Sequence, residues 1–252
     1  MRDGLAGLDF LLPTLRVLSV ASAFPFLAGP GAPRLARLGA ALALALVLVG
    51  PAVTASVPPL STAAVLFAAP NEILIGLAIG AAFSLVFSAL FIAGEFLGQE
   101  MGLNAASQID PVTGHNVPIL SRLFEALGIV LFVEVGGLAA MLRTVRASFD
   151  GIPPGTLVSP VRLATTLVDA GAASIGVGIR LALPLVLVLL LVTLFSTVAL
   201  RALPRVHLFD FAYAIRILVA LVFLGALLPR IVPAIEGFMG RVMEGLGGAL
   251  RR

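Results

Sequence analysis

Six predominantly apolar segments, separated by breaks rich in proline, glycine and polar residues, set the pattern of the chain: residues 11–27, 38–49, 71–101, 123–142, 175–200 and 211–228. Within them apolar side chains run almost without interruption, as buried or membrane helices do and as soluble amphipathic helices do not. Asn71 reads as an N-cap for the third segment, with Glu72 favourably placed against the positive end of the helix dipole. That segment stays helix-compatible to Met101, about 45 Å at ~1.5 Å per residue, against a hydrocarbon core of about 30 Å. It must tilt, break or project. Pro184 near the start of the fifth segment predicts a kink. Residues 159–173 read as a short amphipathic piece of their own. Residues 231–252 read as an amphipathic C-terminal tail, with Ile231, Ile235, Phe238, Val242 and Leu246 at helical spacing.

The longest interruption lies between the third and fourth segments. Small residues lead into it in two ladders of four-residue period: Gly76, Gly80, Ser84 and Ser88, then Gly94, Gly98 and Gly102. Ridges of this kind let helix backbones approach closely in membranes, so tight helix packing is expected along them. Residues 103–118 then lose any helical or strand period and carry Asn104, Ser107, Gln108, Asp110, Thr113 and Asn116. Pro111 biases Asp110 away from the helical region, and Gly114 permits a second bend. Irregular backbone at membrane depth is tolerated only where it is buried in protein or lines an aqueous cavity. The stretch is therefore either a plain exterior loop or such a lining.

Composition places the whole chain in the membrane class as one integral unit. Of its 252 residues 60% are hydrophobic and 12% charged, and mean hydropathy is +1.14, whereas soluble domains are about 25% charged. The absence of cysteine excludes disulfides, zinc–thiolate sites and cysteine nucleophiles. No HExxH, Walker loop, GxSxG or carboxylate–histidine cluster is present, which argues against an enzyme, a metal site or a cofactor. The two histidines, His115 and His207, lie in separate connectors. Net charge is +3 and scattered, with no basic run of the kind that binds nucleic acid. The arginines are distributed too evenly to orient the segments by the positive-inside rule. The N-terminus superficially resembles a leader, with Arg2 ahead of an apolar run ending at Ala21-Ser22-Ala23, but Asp3, Asp9, Pro13 and Arg16 interrupt what should be an unbroken block.

Charges within apolar segments are costly, about 2.5–3.5 kcal/mol each at the bilayer centre. Glu72, Glu125 and Asp210 stand at segment ends, where headgroups or water would solvate them. Glu95, Glu100, Glu134, Arg180 and Arg216 are expected to be buried or to face partners.

The run GEFLGQEMGLNAASQIDPVTGHNVPIL resembles the signature of the FliR family of flagellar biosynthesis proteins, which includes the related export-gate subunit of injectisome type III secretion systems. Gly94-Glu95, Gly98, Met101-Gly102, Asp110-Pro111 and Pro118 carry the likeness. Phe24-Pro25, the run from Glu72 to Leu77, the run from Arg180 to Pro184, and Leu203-Pro204 through Phe209 extend it over nearly the whole chain. The chain departs from the family in having Ala105 and Gln108 where phenylalanines are frequent, which leaves Leu103 and Ile109 as the apolar side chains of the stretch. It departs again at 212–216, where only the basic position, Arg216, survives.

The resemblance implies an all-α fold of membrane-type helical hairpins. It implies assembly with FliP-like and FliQ-like subunits into a channel for unfolded secretion substrates, joined by FlhB-like and FlhA-like subunits, in the bacterial inner membrane at the flagellar basal body. The channel would project toward the periplasm. It further implies that 103–118 acts as a channel plug, with Met101, Gly102, Leu103, Asn104, Ser107, Gln108, Ile109, Asp110 and Pro111 as its residues. The competing reading is a secondary transporter with Glu95, Glu100 and Glu134 as coupling carboxylates. Against it, the second half of the chain holds no repeat of the 94–118 stretch, and transporters usually show repeated halves.

Overall fold

The computed structural model describes residues 6–24, 33–50, 53–54, 57, 62–102, 119–202 and 208–250. The described residues form helices and turns without strands: α1 (Ala6–Ala23), α2 (Arg34–Leu48), α3 (Thr62–Glu100), α4 (Ile119–Glu134), α5 (Gly137–Gly151), α6 (Pro160–Ala202) and α7 (Leu208–Ala249). The fold is that of a polytopic helical membrane protein. Three of these helices are long and apolar enough to cross a bilayer, and α4 with α5 would make a fourth span if taken as one broken crossing. The first two apolar segments are too short to be counted with them.

Several boundaries differ from those read off the sequence. Asn71 does not cap a helix, because α3 begins at Thr62 and carries Pro70 in its interior. The fourth apolar segment is two helices, broken at Gly136, whose φ of 75° is a left-handed conformation that glycine adopts readily. The amphipathic piece at 159–173 is the first part of α6, which continues through Pro184. The tail from Ile231 continues α7, with Pro229 and Pro233 inside it.

The chain divides into two compact units. One comprises Met1–Val86, Phe132–Ala172 and Met239–Arg252, the other Phe87–Leu131 and Ala173–Phe238.

In the first unit α1 lies against α3 with almost no space between the backbones. A Cβ at Gly80 would meet the Val20 carbonyl oxygen at 2.6 Å and Ala23 Cβ at 2.7 Å, and one at Gly76 would collide with Ser19 Oγ and the Arg16 carbonyl. Helix α5 buries one stripe, from Gly137 and Ala140 through Met141, Thr144, Val145, Ser148 and Phe149, at the spacing of a helix face. Its other side carries exposed Arg143, Arg146 and Asp150. Phe132 centres an aromatic cluster, 5.4 Å from Phe24 and edge-on to Phe83 at 6.2 Å between ring centroids.

Through this core runs a charged group that the sequence did not reveal. Arg16 and Glu72 are both 0% exposed, and Arg16 Nε donates to Glu72 Oε2 at 2.7 Å. Arg16 Nη1 donates to the Ser148 carbonyl at 2.9 Å, to Ser148 Oγ at 3.2 Å and to the Ile152 carbonyl at 3.1 Å. Nη2 also donates to the Ile152 carbonyl at 3.1 Å, and the Phe149 ring lies 4.7 Å from the guanidinium carbon. The last carbonyls of a helix lack intrahelical partners, and here a guanidinium supplies the donors at the end of α5. Glu72 completes the arrangement by accepting from the Gly155 amide at 2.9 Å, which the φ of 86° at Gly155 permits. One residue earlier on α3, Asn71 Nδ2 donates to the Thr156 carbonyl at 2.6 Å and Asn71 Oδ1 accepts from the Val158 amide at 3.2 Å. The turn after α5 is thus held by side chains from α1 and α3. Glu72 is not solvated at a segment end; it is half of a buried ion pair.

Arg16→Leu and Glu72→Leu should each cost about 3–5 kcal/mol, because each strands a buried charge. The double variant should not recover wild-type stability, since the Ile152 carbonyl and the Gly155 amide lose their partners as well, and the Ser148 carbonyl keeps only the Ile152 amide. Thermal unfolding of the four proteins in one detergent checks this. Recovery in the double variant would reduce the group to a simple charge pair.

Candidate functional site

The candidate site is the end of α3 and the elements that meet it in the second unit. Helix α3 closes with a tightened turn: the Met101 amide donates to the Leu97 carbonyl at 2.9 Å and the Gly102 amide to the Gln99 carbonyl at 3.0 Å. Gly102 takes φ 73°, the left-handed conformation that ends helices and that a β-carbon disfavours. Met101 is 1% exposed. The polar stretch therefore leaves α3 from a fixed, buried turn.

Helix α4 begins beside the same helix. A Cβ on Gly94 would lie 2.8 Å from Ser121 Cα and 3.0 Å from the Leu120 carbonyl oxygen, so α3 and the start of α4 are in near backbone contact. Glu95 reinforces the contact, accepting from Ser121 Oγ at 3.0 Å and from Gln99 Nε2 at 3.3 Å. Further along, a Cβ on Gly128 of α4 would meet Leu90 Cδ1 at 2.7 Å, and one on Gly178 of α6 would meet the Ala89 carbonyl oxygen at 2.7 Å. Gly98 is buried on α3, and Ser84, in the first unit, is half-buried with its hydroxyl donating to the Ala81 carbonyl at 2.7 Å.

Helix α7 contributes a charge. Arg216 Nη2 donates to Glu100 Oε2 at 3.1 Å, with the two side chains 24% and 36% exposed. Arg216 Nε is buried without a hydrogen-bond partner among the described residues. The arrangement gathers Glu95, Glu100, Arg216 and Ser121 around the two roots of the polar stretch. It can anchor those roots. Among the described residues no group of three or more histidine, cysteine or carboxylate side chains is placed to hold a metal.

The other residues singled out from the sequence fall elsewhere. Glu134 ends α4 and is exposed, and Arg180 is exposed on α6. Leu103, Asn104, Ser107, Gln108, Ile109, Asp110 and Pro111 lie outside the described residues, as do His115 and His207. Ser121, Gly128 and Gly178 were not anticipated. Gly128 belongs to no ladder, and the partner of Ser121 lies 26 residues away across the polar stretch, so no local spacing marks these two; Gly178 follows Ser174 and precedes Ala182 by four residues, a spacing that could have marked it.

The family model for bacterial export proteins, family 1, matches residues 8–242. The chain is 30% identical over 248 residues to the flagellar biosynthetic protein FliR of Pectobacterium carotovorum subsp. carotovorum, covering 96% of this chain and 92% of that protein. It is 29% identical over 237 residues to the flagellar biosynthetic protein FliR of Escherichia coli (strain K12), covering 93% and 90% respectively. A shorter similarity, 26% over 83 residues, connects it to the surface presentation of antigens protein SpaR of Shigella flexneri, covering 33% of this chain and 32% of that protein.

The two kinds of contact at the site should respond differently to substitution. Gly94→Ala places a methyl group against the α4 backbone and should cost about 1–3 kcal/mol, as overpacking does. Arg216→Ala removes a partly solvated ion pair and should change stability by less than about 1 kcal/mol. Thermal unfolding of the full chain in detergent measures both. A larger loss in Arg216→Ala than in Gly94→Ala would invert this ranking.

Proposed function

This chain belongs to the bacterial export proteins, family 1, and is a FliR-type subunit of a type III export apparatus embedded in the membrane; from that premise we propose that it builds the flagellar export channel with FliP-like and FliQ-like subunits and that its residues 103–118 help close that channel. The channel stands in the inner membrane at the basal body, with FlhB-like and FlhA-like subunits on the cytoplasmic side, and passes unfolded substrates. The chain's role is structural and gating, not catalytic.

The observation that carries the flagellar assignment is the similarity to flagellar relatives over at least nine-tenths of both chains, against about a third for the SpaR protein. The geometry at the end of α3 supports the closing role. The start of α4 is anchored against α3, by Gly94 against Ser121 and by the Glu95 hydrogen bond, and α3 itself closes in the buried turn at Met101. A fixed base is what a stretch of irregular backbone needs to be held across an aqueous path in protein. The missing phenylalanines leave Leu103 and Ile109 as the apolar side chains available to seal it.

Deleting residues 107–112 should raise leakage of ions and small solutes through the assembled channel, and Leu103→Gly or Ile109→Gly should raise it less. Leakage at the wild-type level in the deletion would remove the closing role. Purification through a tag on this chain should bring down a multi-subunit complex, while the isolated chain in proteoliposomes should take up no solute. Uptake by the isolated chain would favour a secondary transporter.

A further inference from the structure

Two carboxylates of α3, Glu72 and Glu100, pair with arginines of other helices, and the two pairs differ in kind. Glu72 and Arg16 are wholly buried, and the guanidinium also serves the Ser148 and Ile152 carbonyls. Glu100, the last residue of α3, and Arg216 of α7 are partly exposed and share one hydrogen bond, from Nη2 to Oε2 at 3.1 Å. Breaking a buried pair of the first kind strands a charge in an apolar interior. A partly solvated pair of the second kind favours its paired state by about fivefold at most.

The weak pair stands where α7 has little else to fix it. From Ala214 to Arg230 the only fully buried side chain is Ala220; besides Arg216 the half-buried ones are Ile217, Val219, Leu224 and Leu227. Attraction through these apolar groups is non-directional. Arg216 lies four residues before Ala220, on the same face of the helix, and supplies a directed contact. The pair is also short of its best geometry. Arg216 Nε is buried without a hydrogen-bond partner among the described residues, although a guanidinium can meet a carboxylate through two parallel bonds. An unmade buried donor raises the free energy of the paired state. The α3 side is set more firmly. Met101 is 1% exposed, its amide donates to the Leu97 carbonyl at 2.9 Å, and Gly102 ends the helix in a left-handed conformation. Release of the pair therefore frees α7 and leaves the end of α3 in place.

We propose that the Glu100–Arg216 pair is a releasable latch: made, it holds α7 against the turn at Met101 and Gly102 and favours the closed channel; broken, it lets α7 move away and raises the open fraction. This rests on the closing role of residues 103–118 and names what regulates it, the position of α7. Arg216 is a positioning residue in this account. A pair as firmly buried as Arg16–Glu72 would hold the channel in one state, whereas a tie of a few-fold leaves two states within reach of each other. The latch consists of one charge pair and one hydrogen bond. A single ammonium donor can therefore replace the guanidinium, and exchanging the two charges preserves the attraction.

The assembly purified through this chain is reconstituted in phospholipid vesicles, and efflux of a small fluorescent solute is measured. Glu100→Gln and Arg216→Gln should each raise efflux about two- to fivefold, the range that a partly exposed pair supports. Arg216→Lys should stay at the unsubstituted level, and Glu100→Arg combined with Arg216→Glu should return to it. A change that acted only through packing would not be rescued by exchanging the charges. The position of α7 is read separately. The chain has no cysteine, so nitroxide labels at Phe96→Cys and Leu218→Cys, both exposed, report the distance between α3 and α7 in the same assembly. The distance distribution should broaden in the two Gln variants and remain narrow in Arg216→Lys. Where deletion of residues 107–112 leaks and the Gln variants do not, the latch is overturned and the closing role stands. Efflux as high in the exchanged-charge variant as in the single ones overturns the latch as well. Where the deletion does not leak, the closing role fails and the latch's effect on the channel fails with it, while the distances still show whether the pair holds α7.

Discussion

A charge cannot be left unpaired in an apolar interior, and the Arg16–Glu72 contact is the answer to that constraint on which the first unit depends. The two residues lie on helices of different length and origin, and each alone would oppose burial. Together with Asn71 they satisfy backbone groups at the end of α5 and in the turn that follows. The pair therefore sets more than an electrostatic balance. It ties α1, α3 and α5 into one body and fixes where the chain emerges toward α6. Hydrophobic attraction is non-directional and does not specify such a point; a guanidinium fork with four hydrogen-bonded directions does.

Around that group the contacts divide into two classes. Where helices of this chain meet each other, glycines remove the side chain and let backbone touch side chain or backbone, as at Gly76, Gly80, Gly94 and Gly178. Where the chain meets its surroundings, α6 and α7 present broad rows of leucine, valine and phenylalanine. The first class makes a close-packed frame within each unit. The second is the surface of a protein that completes itself only in a membrane and in an assembly, which agrees with its membership of an export apparatus. Between the two stands the end of α3, where the frame anchors both roots of a polar stretch.

Much of this was legible from residue order, and the failures are instructive. Two ladders of four-residue period, one holding Gly76 and Gly80 and the other Gly94, raise the expectation of close helix packing, and a Cβ at any of these three glycines would meet backbone of another helix. Asn71-Glu72 after Pro70 has the local form of a helix start, yet α3 runs through it, because the side chains are engaged by a turn more than 80 residues later. Arg16 looked like an interruption of a leader-like run, since its partner is 56 residues away. The break at Gly136 was hidden for the opposite reason: apolar residues continue on both sides, and only the backbone conformation reveals it. Local pattern thus reported packing that repeats along one helix and missed contacts that join distant segments.

A FliR-type subunit of a type III export apparatus should be required for export. The most direct test is to delete it in its native host and to measure the flagellar export substrates secreted into the medium, with and without re-expression of the intact chain. Loss of those substrates from the medium, while they remain in the cell, and their return on re-expression is the result expected. Secretion at the wild-type level in the deletion strain would contradict the assignment.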